Sequence, residues 1–482
     1  MTVPHARDGR TPDGGYDHVV VGAGSAGCVV AARLAENPDA RVLLLEAGSA
    51  TPRTVAPVDW LSLRGSDADW RDKTLPEHGR PFDWPRGKGL GGSSAINGMV
   101  FARGHRDGYD WGKGWEFDDL LPYFRRSEHA PAGDPGLRGV GGPLRVAPAA
   151  RRHPTAQAYL DAAAEAGHRR ATDISGGLEE GFGWVDLNIV DGRRQSAADA
   201  YLRARDNLHV VAGAQVRRLV VDGDRATGVE YTVGGQHVRV GAAEVVLCAG
   251  TIGTAHLLLL SGIGPADHLR DKGIDVVADL PGVGENLHDH PVSFVVHSAA
   301  RPVPRGVNNN IEAIGLLRSD PALEAPDLQS FLTAPAADGL YALSVALMTP
   351  HSRGRLRLTD NGVALSPGYL TDPRDVRAMV AGLELVREIG AASAFTPWRG
   401  AELESGGEEY LKATLTSYYH YAGTCALGED EMSVVDRELR VHGIAGLRVA
   451  DASVIPRIPS ANTHATVVAI AERAADLIGA TA

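Results

Sequence analysis

The chain has 482 residues, of which 44% are hydrophobic and 22% charged, as is typical of a soluble globular protein. Its length predicts two closely packed domains rather than one. The formal net charge of −12 argues against a nucleic-acid partner, because phosphates are bound by clustered Lys and Arg.

The three cysteines, at positions 28, 248 and 425, have no paired spacing, which favours a reducing compartment and no metal site. Residues 1–15 lack the apolar core of a signal peptide, so we expect a disordered N-terminal tail and a cytoplasmic protein. The apolar window at 245–264 contains four glycines and a histidine. This pattern predicts a strand, a turn and a helix rather than a membrane span.

A strand, a glycine-rich turn, a helix and a second strand open the ordered chain, over residues 17–21, 26–36 and 41–45. This order is typical of a doubly wound α/β domain. Gly22, Gly24 and Gly27 allow a tight turn whose backbone N–H groups bind a pyrophosphate at the helix N-terminus. Glu46 follows the second strand, where a carboxylate accepts hydrogen bonds from an adenosine ribose. The pattern predicts a dinucleotide, NAD or FAD.

Further along, residues 60–86 have no sustained periodicity and are predicted to form a long loop that serves a site. Four strands with glycine turns between them are then predicted, followed by a region of mixed strands and helices. The predicted strands are 207–211, 216–221, 228–233, 237–240, 327–332 and 343–348, and the predicted helices are 155–167 and 375–390.

Several segments resemble signatures of the glucose–methanol–choline (GMC) family of FAD-dependent oxidoreductases, and they occur in the family's order along most of the chain. The first signature is similar to RGKGLGGSSAINGM at 86–99, and the second is similar to residues 250–264, although Ala255 replaces the usual proline. Other matching segments are PGVGENLHDHP at 281–291, HYAGTCALG at 420–428 and residues 446–478.

The resemblance implies a Rossmann-like FAD-binding domain interleaved with an α+β substrate domain built on an antiparallel sheet. We assign residues 16–150, 205–291 and 430–482 to the FAD-binding domain, and residues 151–204 and 292–429 to the substrate domain. Some relatives attach the flavin covalently to a histidine in the first signature. Ile96 occupies that place, followed by Asn97, so we predict non-covalent FAD.

The residues predicted to bind FAD come from the glycine turn, from the positions matching family signatures, and from the start of the last helix, whose N–H groups are expected to face the flavin pyrimidine. They are Gly22, Gly24, Ser25, Ala26, Gly27, Glu46, Ala47, Arg86, Gly91, Gly92, Ser93, Asn97, Gly98, Met99, Val100, Val216, Gly250, Asp451, Ala452, His464, Ala465 and Thr466.

Oxidising an alcohol requires removal of the hydroxyl proton and of a hydride, which flavin N5 accepts. A neutral imidazole suits the proton transfer. By resemblance, His420 is the catalytic base, and His464, placed just ahead of a helix, is the second catalytic residue that orients the substrate oxygen. Without the resemblance, a buried histidine bonded to the backbone is the favoured interpretation of each.

His288 and His290 flank Asp289, but two histidines do not make a metal site, so we expect them to stabilise a turn and predict no metal. Tyr418, Tyr419 and Phe331 are candidate walls of the substrate pocket. Glu312 is a candidate partner for a substrate ammonium, as in choline-handling relatives. A structural salt bridge explains it equally well.

The sequence therefore predicts oxidation of a small-molecule alcohol to an aldehyde or ketone, with O2 or another carrier as the electron acceptor. Two alternatives stay open. One is a non-redox or photochemical enzyme on the same scaffold, such as a hydroxynitrile lyase or a decarboxylase. The other is a flavin-binding protein without catalysis.

Overall fold

The computed structural model describes residues 15–337, 339–404 and 406–480. The predicted tail therefore lies outside the described residues, apart from its last residue. Two seven-stranded sheets dominate the structure, and helices pack against both of them. The helices are Ser25–Leu34, Phe117–Ser127, Pro154–Glu165, Ala197–Tyr201, Gly250–Leu260, Ala266–Asp271, Pro373–Ala391, Glu408–Thr414 and His464–Gly479, with 3-10 turns at Pro57–Leu63, Gly92–Ala95, Arg106–Tyr109, Ser393–Phe395 and Ala452–Val454.

The first sheet combines a parallel core with an antiparallel extension. Its strand order is Leu208–Ala212, Val42–Glu46, Tyr16–Val21, Gln236–Leu247, Arg225–Val233 and Gln215–Asp222, and Leu447–Val449 also pairs with Gln236–Leu247. The parallel core and the helix Ser25–Leu34 confirm the doubly wound α/β opening.

Several predicted strand boundaries differ from the structure, such as 327–332 against Leu328–Ala337, and the largest difference is at residues 237–240. The strand predicted at 237–240 is the start of the twelve-residue strand Gln236–Leu247. Its first half alternates between exposed and buried positions against the antiparallel neighbour, whereas its end is a continuously buried run against Tyr16–Val21. The two halves differ in pattern because one has a solvent face and the other is covered on both faces.

The second sheet is antiparallel, as predicted for the substrate domain. Its strand order is Arg399–Glu402, Pro291–Ala299, Leu340–Leu347, Leu328–Ala337, Ala313–Leu317 and Gly181–Trp184, with Thr416–Ser417 also pairing Pro291–Ala299. These strands come from the ranges assigned to the substrate domain, apart from the first residue of one strand. The exact domain boundaries stay predictions.

Short strand pairs fill the connections between the two sheets. They pair Asp72–Lys73 with Asp83–Trp84, Glu128–His129 with Leu144–Arg145, Ala147–Pro148 with Asp186–Leu187, Ile189–Val190 with Arg193–Arg194, Ile263–Gly264 with Ala278–Asp279, and Arg355–Thr359 with Gly362–Ser366. The loop predicted at 60–86 thus contains a small hairpin. Trp84 anchors it, because its fully buried ring stacks on Tyr421 with the centroids 4.1 Å apart.

The apolar window at 245–264 has the predicted strand, turn and helix, the helix being Gly250–Leu260. None of the helices in the described part of the chain has the length and apolar character needed to cross a membrane.

Candidate active site

A single cavity of about 830 Å³ brings together both sets of predicted site residues. Its walls come from the turn after the first strand, the glycine-rich segment that begins at Arg86, the loop at 60–86, the second sheet, and residues 416–421 and 462–464. His420 and His464 line the same cavity as Gly22 and Glu46. The volume lies in the range that cofactor and substrate pockets occupy.

The two glycine-rich turns lie directly against each other and leave no room for side chains. Gly22 has a φ of +96°, and a Cβ there would lie 2.6 Å from the carbonyl oxygen of Cys248. A Cβ on Gly27 would lie 1.8 Å from the oxygen of Gly22, and one on Gly92 would lie 2.5 Å from the Cα of Gly24. The helix that begins at Ser25 has no side-chain cap and no acidic residue in its first turn. This bare N-terminus at the cavity wall fits a pyrophosphate.

A substitution at Gly24 separates an effect on protein packing from an effect on cofactor binding. A Cβ at Gly24 has one neighbour, the Cα of Gly92 at 3.9 Å, which is ordinary contact. We therefore expect Gly24→Ala to fold with an unchanged apoprotein melting temperature but to bind FAD at least about tenfold more weakly, because the methyl group keeps the pyrophosphate away from the backbone. Fluorescence titration of the apoprotein with FAD measures this affinity.

Gly27→Ala provides the contrast, because its methyl group collides with protein backbone. That variant should lose melting temperature before any cofactor is added. Wild-type FAD affinity in Gly24→Ala would contradict the placement of the pyrophosphate.

Glu46 ties the two glycine turns together. Its carboxylate is buried and accepts hydrogen bonds from the N–H groups of Ala23 at 2.9 Å, Gly48 at 2.8 Å and Gly89 at 2.9 Å. Burial raises the pKa of this carboxyl, while the three N–H donors act in the opposite direction. Glu46 also lines the cavity, and its contact with a ribose stays a prediction.

Most of the predicted FAD-binding residues line the cavity, including Val216 from the first sheet. Gly27, Gly91, Ala465 and Thr466 do not. Gly27 packs on Gly22, and the Gly91 N–H donates to the carbonyl of Ala23. The last helix begins at His464 itself rather than after it, so Ala465 and Thr466 already turn into the protein core. The predicted FAD-binding residues that do line the cavity are Gly22, Gly24, Ser25, Ala26, Glu46, Ala47, Arg86, Gly92, Ser93, Asn97, Gly98, Met99, Val100, Val216, Gly250, Asp451, Ala452 and His464.

Asp451 is buried at the end of the short strand Leu447–Val449 and holds the start of another helix at the cavity wall. Its carboxylate accepts hydrogen bonds from the Gly250 N–H at 2.8 Å and from the Thr254 hydroxyl at 2.6 Å. The space beside Gly250, which has a φ of +75°, is open. This cradle fits the pyrophosphate and ribityl placement that the resemblance implies.

His420 is buried between two hydrogen-bonding side chains. Its Nδ1 lies 2.9 Å from Nδ1 of His290, and its Nε2 lies 3.2 Å from Nδ2 of Asn462. His464 is buried in the wall of the same cavity, and its Nε2 has no hydrogen-bond partner. Burial lowers the pKa of His420 to about 3 and that of His464 to about 4, so both imidazoles are neutral near pH 7.

The hydrogen-bond chain fixes which nitrogen of His420 carries the proton. Nε2 of His290 lies 3.1 Å from the carbonyl oxygen of Met348, which can only accept, so this nitrogen is the donor. In a neutral His290, Nδ1 is then an acceptor, and Nδ1 of His420 must donate to it. Nε2 of His420 is left with its lone pair, which accepts from the amide of Asn462. Nε2 of His420 is thus an unprotonated nitrogen in the cavity wall.

Asp289 positions the backbone of His420. It accepts hydrogen bonds from the His420 N–H at 2.7 Å and from the hydroxyls of Ser417 and Tyr369, each at 2.5 Å. His288 stabilises the turn, as predicted, since its Nε2 accepts from the Ile458 N–H at 3.0 Å. Among the described residues, no group of three or more metal-ligating side chains is arranged to hold a metal ion.

The buried histidines make acid stability a test of this packing. Burial lowers the pKa of His288 and His420 to about 3, that of His464 to about 4, and that of His290 well below its ordinary value of 6.5. The unfolded chain binds protons below pH 6.5 while these folded groups stay neutral, so stability falls as the pH drops towards 4, by about 1.4 kcal/mol per pH unit for each such histidine. Burial raises the pKa of Asp289 to about 6, and this acts in the opposite direction between about pH 4 and 6.

The net effect is a loss of folding stability that begins as the pH falls below 6.5. Denaturant unfolding of the FAD-loaded protein at a series of pH values measures it. A free energy of unfolding that stays constant from pH 7 down to pH 5 would contradict the burial of neutral imidazoles.

The predicted aromatic walls are present. Phe331, Tyr418 and Tyr419 line the cavity, and the rings of Phe331 and Tyr418 stack with centroids 4.9 Å apart. Glu312 is not among the residues that line the cavity, although its neighbours Asn310 and Ile311 are, and its contact with a substrate stays a prediction. Its buried carboxylate accepts from the His153 N–H at 2.7 Å and from the Asn308 amide at 2.8 Å, a structural role.

Sequence reasoning missed three residues around His420. Asn462 and His290 contact its ring, and Asp289 holds its backbone. The sequence did contain a signal for His290 and Asp289, since NLHDHP places an acid and two histidines in one short segment. Asn462 gave no signal, because only the fold brings it to His420.

Comparisons with known proteins agree with this site. Two family models, both described as GMC oxidoreductase, match residues 16–292 and 350–471. The mitochondrial choline dehydrogenase of Homo sapiens is 38% identical, over 96% of this chain and 89% of its own length. The oxygen-dependent choline dehydrogenase of Brucella anthropi is 36% identical, over 96% of this chain and 95% of its own length.

Solved structures of oxidases superpose on this chain over almost its whole length. Pyridoxine 4-oxidase from Mesorbium loti superposes with a TM-score of 0.92 at 35% identity, covering 96% of this chain and 98% of that one. Formate oxidase from Aspergillus oryzae superposes with a TM-score of 0.89 at 27% identity, covering 97% of this chain and 98% of that one. With the glycine cradle and the paired imidazoles in one cavity, these matches lead to one conclusion. The chain belongs to the GMC oxidoreductase family and is an FAD-dependent alcohol oxidoreductase.

Proposed function

We propose that the protein oxidises an alcohol to an aldehyde or ketone, with His420 as the base that removes the hydroxyl proton. One observation carries this proposal: Nδ1 of His420 lies 2.9 Å from Nδ1 of His290, an arrangement that leaves Nε2 of His420 as the unprotonated nitrogen in the wall of the cavity that holds the glycine cradle. Bound FAD supplies the hydride acceptor, flavin N5. O2 or another carrier would be the final electron acceptor.

The proton transfer follows from the hydrogen bonds of His420. An alcohol hydroxyl that replaces the Asn462 amide at Nε2 donates its hydrogen bond to the imidazole lone pair. As the hydride leaves the carbinol carbon, the hydroxyl proton moves to Nε2. The imidazolium that forms keeps its Nδ1–H bond to His290, so the ring orientation does not change during the step.

His464 supports the developing negative charge on the substrate oxygen. Its Nε2 is buried and lacks a protein partner, which leaves that nitrogen to a bound molecule. A hydrogen bond from His464 to the substrate oxygen orients the alcohol and stabilises charge that grows in the transition state.

Non-covalent attachment of FAD is the expected state of this enzyme. Ile96, at the place where some relatives carry the linking histidine, is buried against Leu63 and Ala68 and offers no nucleophile. Acid precipitation should therefore leave a colourless pellet and a yellow supernatant. A pellet that stays yellow after washing in denaturant would contradict non-covalent attachment.

An anaerobic screen tests the proposed function. The FAD-loaded protein is mixed with a panel of primary and secondary alcohols, and the visible flavin absorbance is followed while the carbonyl product is quantified by mass spectrometry. We expect at least one alcohol to bleach the flavin and to give one equivalent of carbonyl product. Full retention of the flavin absorbance with every alcohol would overturn the proposal.

A further inference from the structure

One arginine stands among the aromatic residues of the cavity, next to the base. Arg64 lines the cavity together with Trp60 and Tyr419. Its guanidinium carbon lies 4.9 Å from the ring centroid of Trp60 and 4.3 Å from that of Tyr419, and its Nη1 donates to the Tyr419 hydroxyl at 2.8 Å. Tyr419 precedes His420 in the chain, so the residue that accepts the hydrogen bond from Arg64 is the sequence neighbour of His420.

The charge of Arg64 is not neutralised by the protein. Within residues 15–337, 339–404 and 406–480, no carboxylate lies at ion-pair distance from Arg64, and the Tyr419 hydroxyl is its hydrogen-bond partner. Arg86, which lines the same cavity, is by contrast paired with Asp72. A guanidinium has five N–H donors in a fixed fork, so most of the Arg64 donors stay available to a bound molecule.

The backbone of Tyr419, the residue bonded to Arg64, has an uncommon conformation. Tyr419 has a φ of +66°, in the left-handed region that bulky residues rarely adopt, and its N–H donates to the Ser417 hydroxyl at 2.8 Å. Strained residues of this kind cluster at ligand sites, where the surrounding structure fixes them. At Tyr419 this conformation occurs together with the hydrogen bond that its hydroxyl accepts from Arg64.

Each carboxylate that lines the cavity already has a protein partner. Glu46 accepts hydrogen bonds from backbone N–H groups, Asp72 is paired with Arg86, and Asp451 accepts from the Gly250 N–H. Around His420 the walls are aromatic, amide and neutral imidazole groups. Asp289 lies behind His420, bonded to its backbone N–H and to the Ser417 and Tyr369 hydroxyls, so among the described residues no carboxylate in the lining of the cavity pairs with Arg64.

We propose that the alcohol substrate carries a negatively charged group, a carboxylate or its equivalent, at the end remote from its hydroxyl, and that Arg64 binds this group. This inference rests on the proposed function, since it names the substrate class of the same site. Arg64 determines specificity and is held by Trp60 and Tyr419 in the position from which its fork meets the anion.

The same geometry disfavours a quaternary ammonium alcohol. Aromatic rings bind such cations through their faces, but Arg64 already supplies a cation to the rings of Trp60 and Tyr419. Glu312, the acidic residue that the family resemblance offers for an ammonium, is buried and already accepts hydrogen bonds from the His153 N–H and the Asn308 amide. A trimethylammonium group would meet a like charge at Arg64.

Matched alcohols that differ only in charge test this inference. Two series are used: choline with 3-hydroxypropanamide and 3-hydroxypropanoate, and benzyl alcohols with para trimethylammonium, carboxamide or carboxylate groups. We expect kcat/KM to be about ten- to a hundredfold higher for the carboxylate than for its carboxamide, and lowest for the ammonium. In Arg64→Gln the preference for the carboxylate over the carboxamide should fall by a similar factor.

Arg301→Gln is the matched control, because Arg301 also stacks on a tryptophan, Trp398, but does not line the cavity. It should keep the wild-type preference.

Binding gives a readout independent of turnover: benzoate should perturb the flavin spectrum of the FAD-loaded wild type, and far less that of Arg64→Gln. If the wild type oxidises all three charge types with equal kcat/KM, or prefers the ammonium, the inference is overturned while the proposed function stays intact. Benzoate binding that survives in Arg64→Gln would also overturn it. Absence of any alcohol turnover, with Arg64-dependent benzoate binding, would instead count against the proposed function.

Discussion

His420→Ala is expected to slow flavin reduction by alcohol about a hundred- to ten-thousandfold while FAD stays bound. The substitution removes the lone pair at Nε2 that Asn462 and the substrate hydroxyl share. Without it, the hydroxyl proton has no buried acceptor when the hydride leaves. Anaerobic stopped-flow absorbance of the flavin, with the same alcohol for both proteins, measures the rate directly.

Two further variants separate chemistry from packing. His464→Asn should be milder than His420→Ala, because an amide can still donate a hydrogen bond to the substrate oxygen. His168→Ala is the packing control: His168 is half-buried with an unpartnered Nε2 but does not line the cavity. Equal and small effects of the two cavity variants would refute the roles assigned to His420 and His464.

Replacing His290 is expected to slow flavin reduction about ten- to a hundredfold, although this ring does not line the cavity. In His290→Leu the Nδ1–H of His420 loses its acceptor, which favours the tautomer that carries its proton on Nε2. His290→Gln should recover much of the rate, because its amide can accept from His420 and donate to the Met348 carbonyl.

The pattern across these variants distinguishes positioning from general destabilisation. The rate constant of reduction should fall in His290→Leu while KM changes little, because the substrate still contacts the same cavity walls. Similar losses in His290→Leu and His290→Gln, or a change confined to KM, would show that His290 does not set the tautomer of His420.

The sequence predicted the features that depend on local pattern. The valine-rich strand, the turn at Gly22 and the following helix are adjacent in the chain, and steric rules for glycine fix their geometry. His420 and His464 followed from the family resemblance, and the structure places both in the cavity wall. Their chemical roles stay predictions.

What the sequence missed depends on contacts between distant segments. Asn462 meets His420 from 42 positions away, and His290 meets it from 130 positions away, so no periodicity connects them. The choice between substrate binding and salt bridging for Glu312 required knowing where its carboxylate lies. Arg64 lies in a segment without periodicity, and only the fold places it beside Tyr419.

The central claim is that a neutral buried imidazole and bound FAD together remove a proton and a hydride from an alcohol. The most direct measurement is anaerobic reduction of the FAD-loaded protein by its best alcohol, compared with the same alcohol deuterated at the carbinol carbon. We predict loss of the visible flavin absorbance with the light alcohol and a several-fold slower loss with the deuterated one, because the carbinol C–H bond breaks in the step observed. Flavin absorbance that persists unchanged with both alcohols would contradict the account.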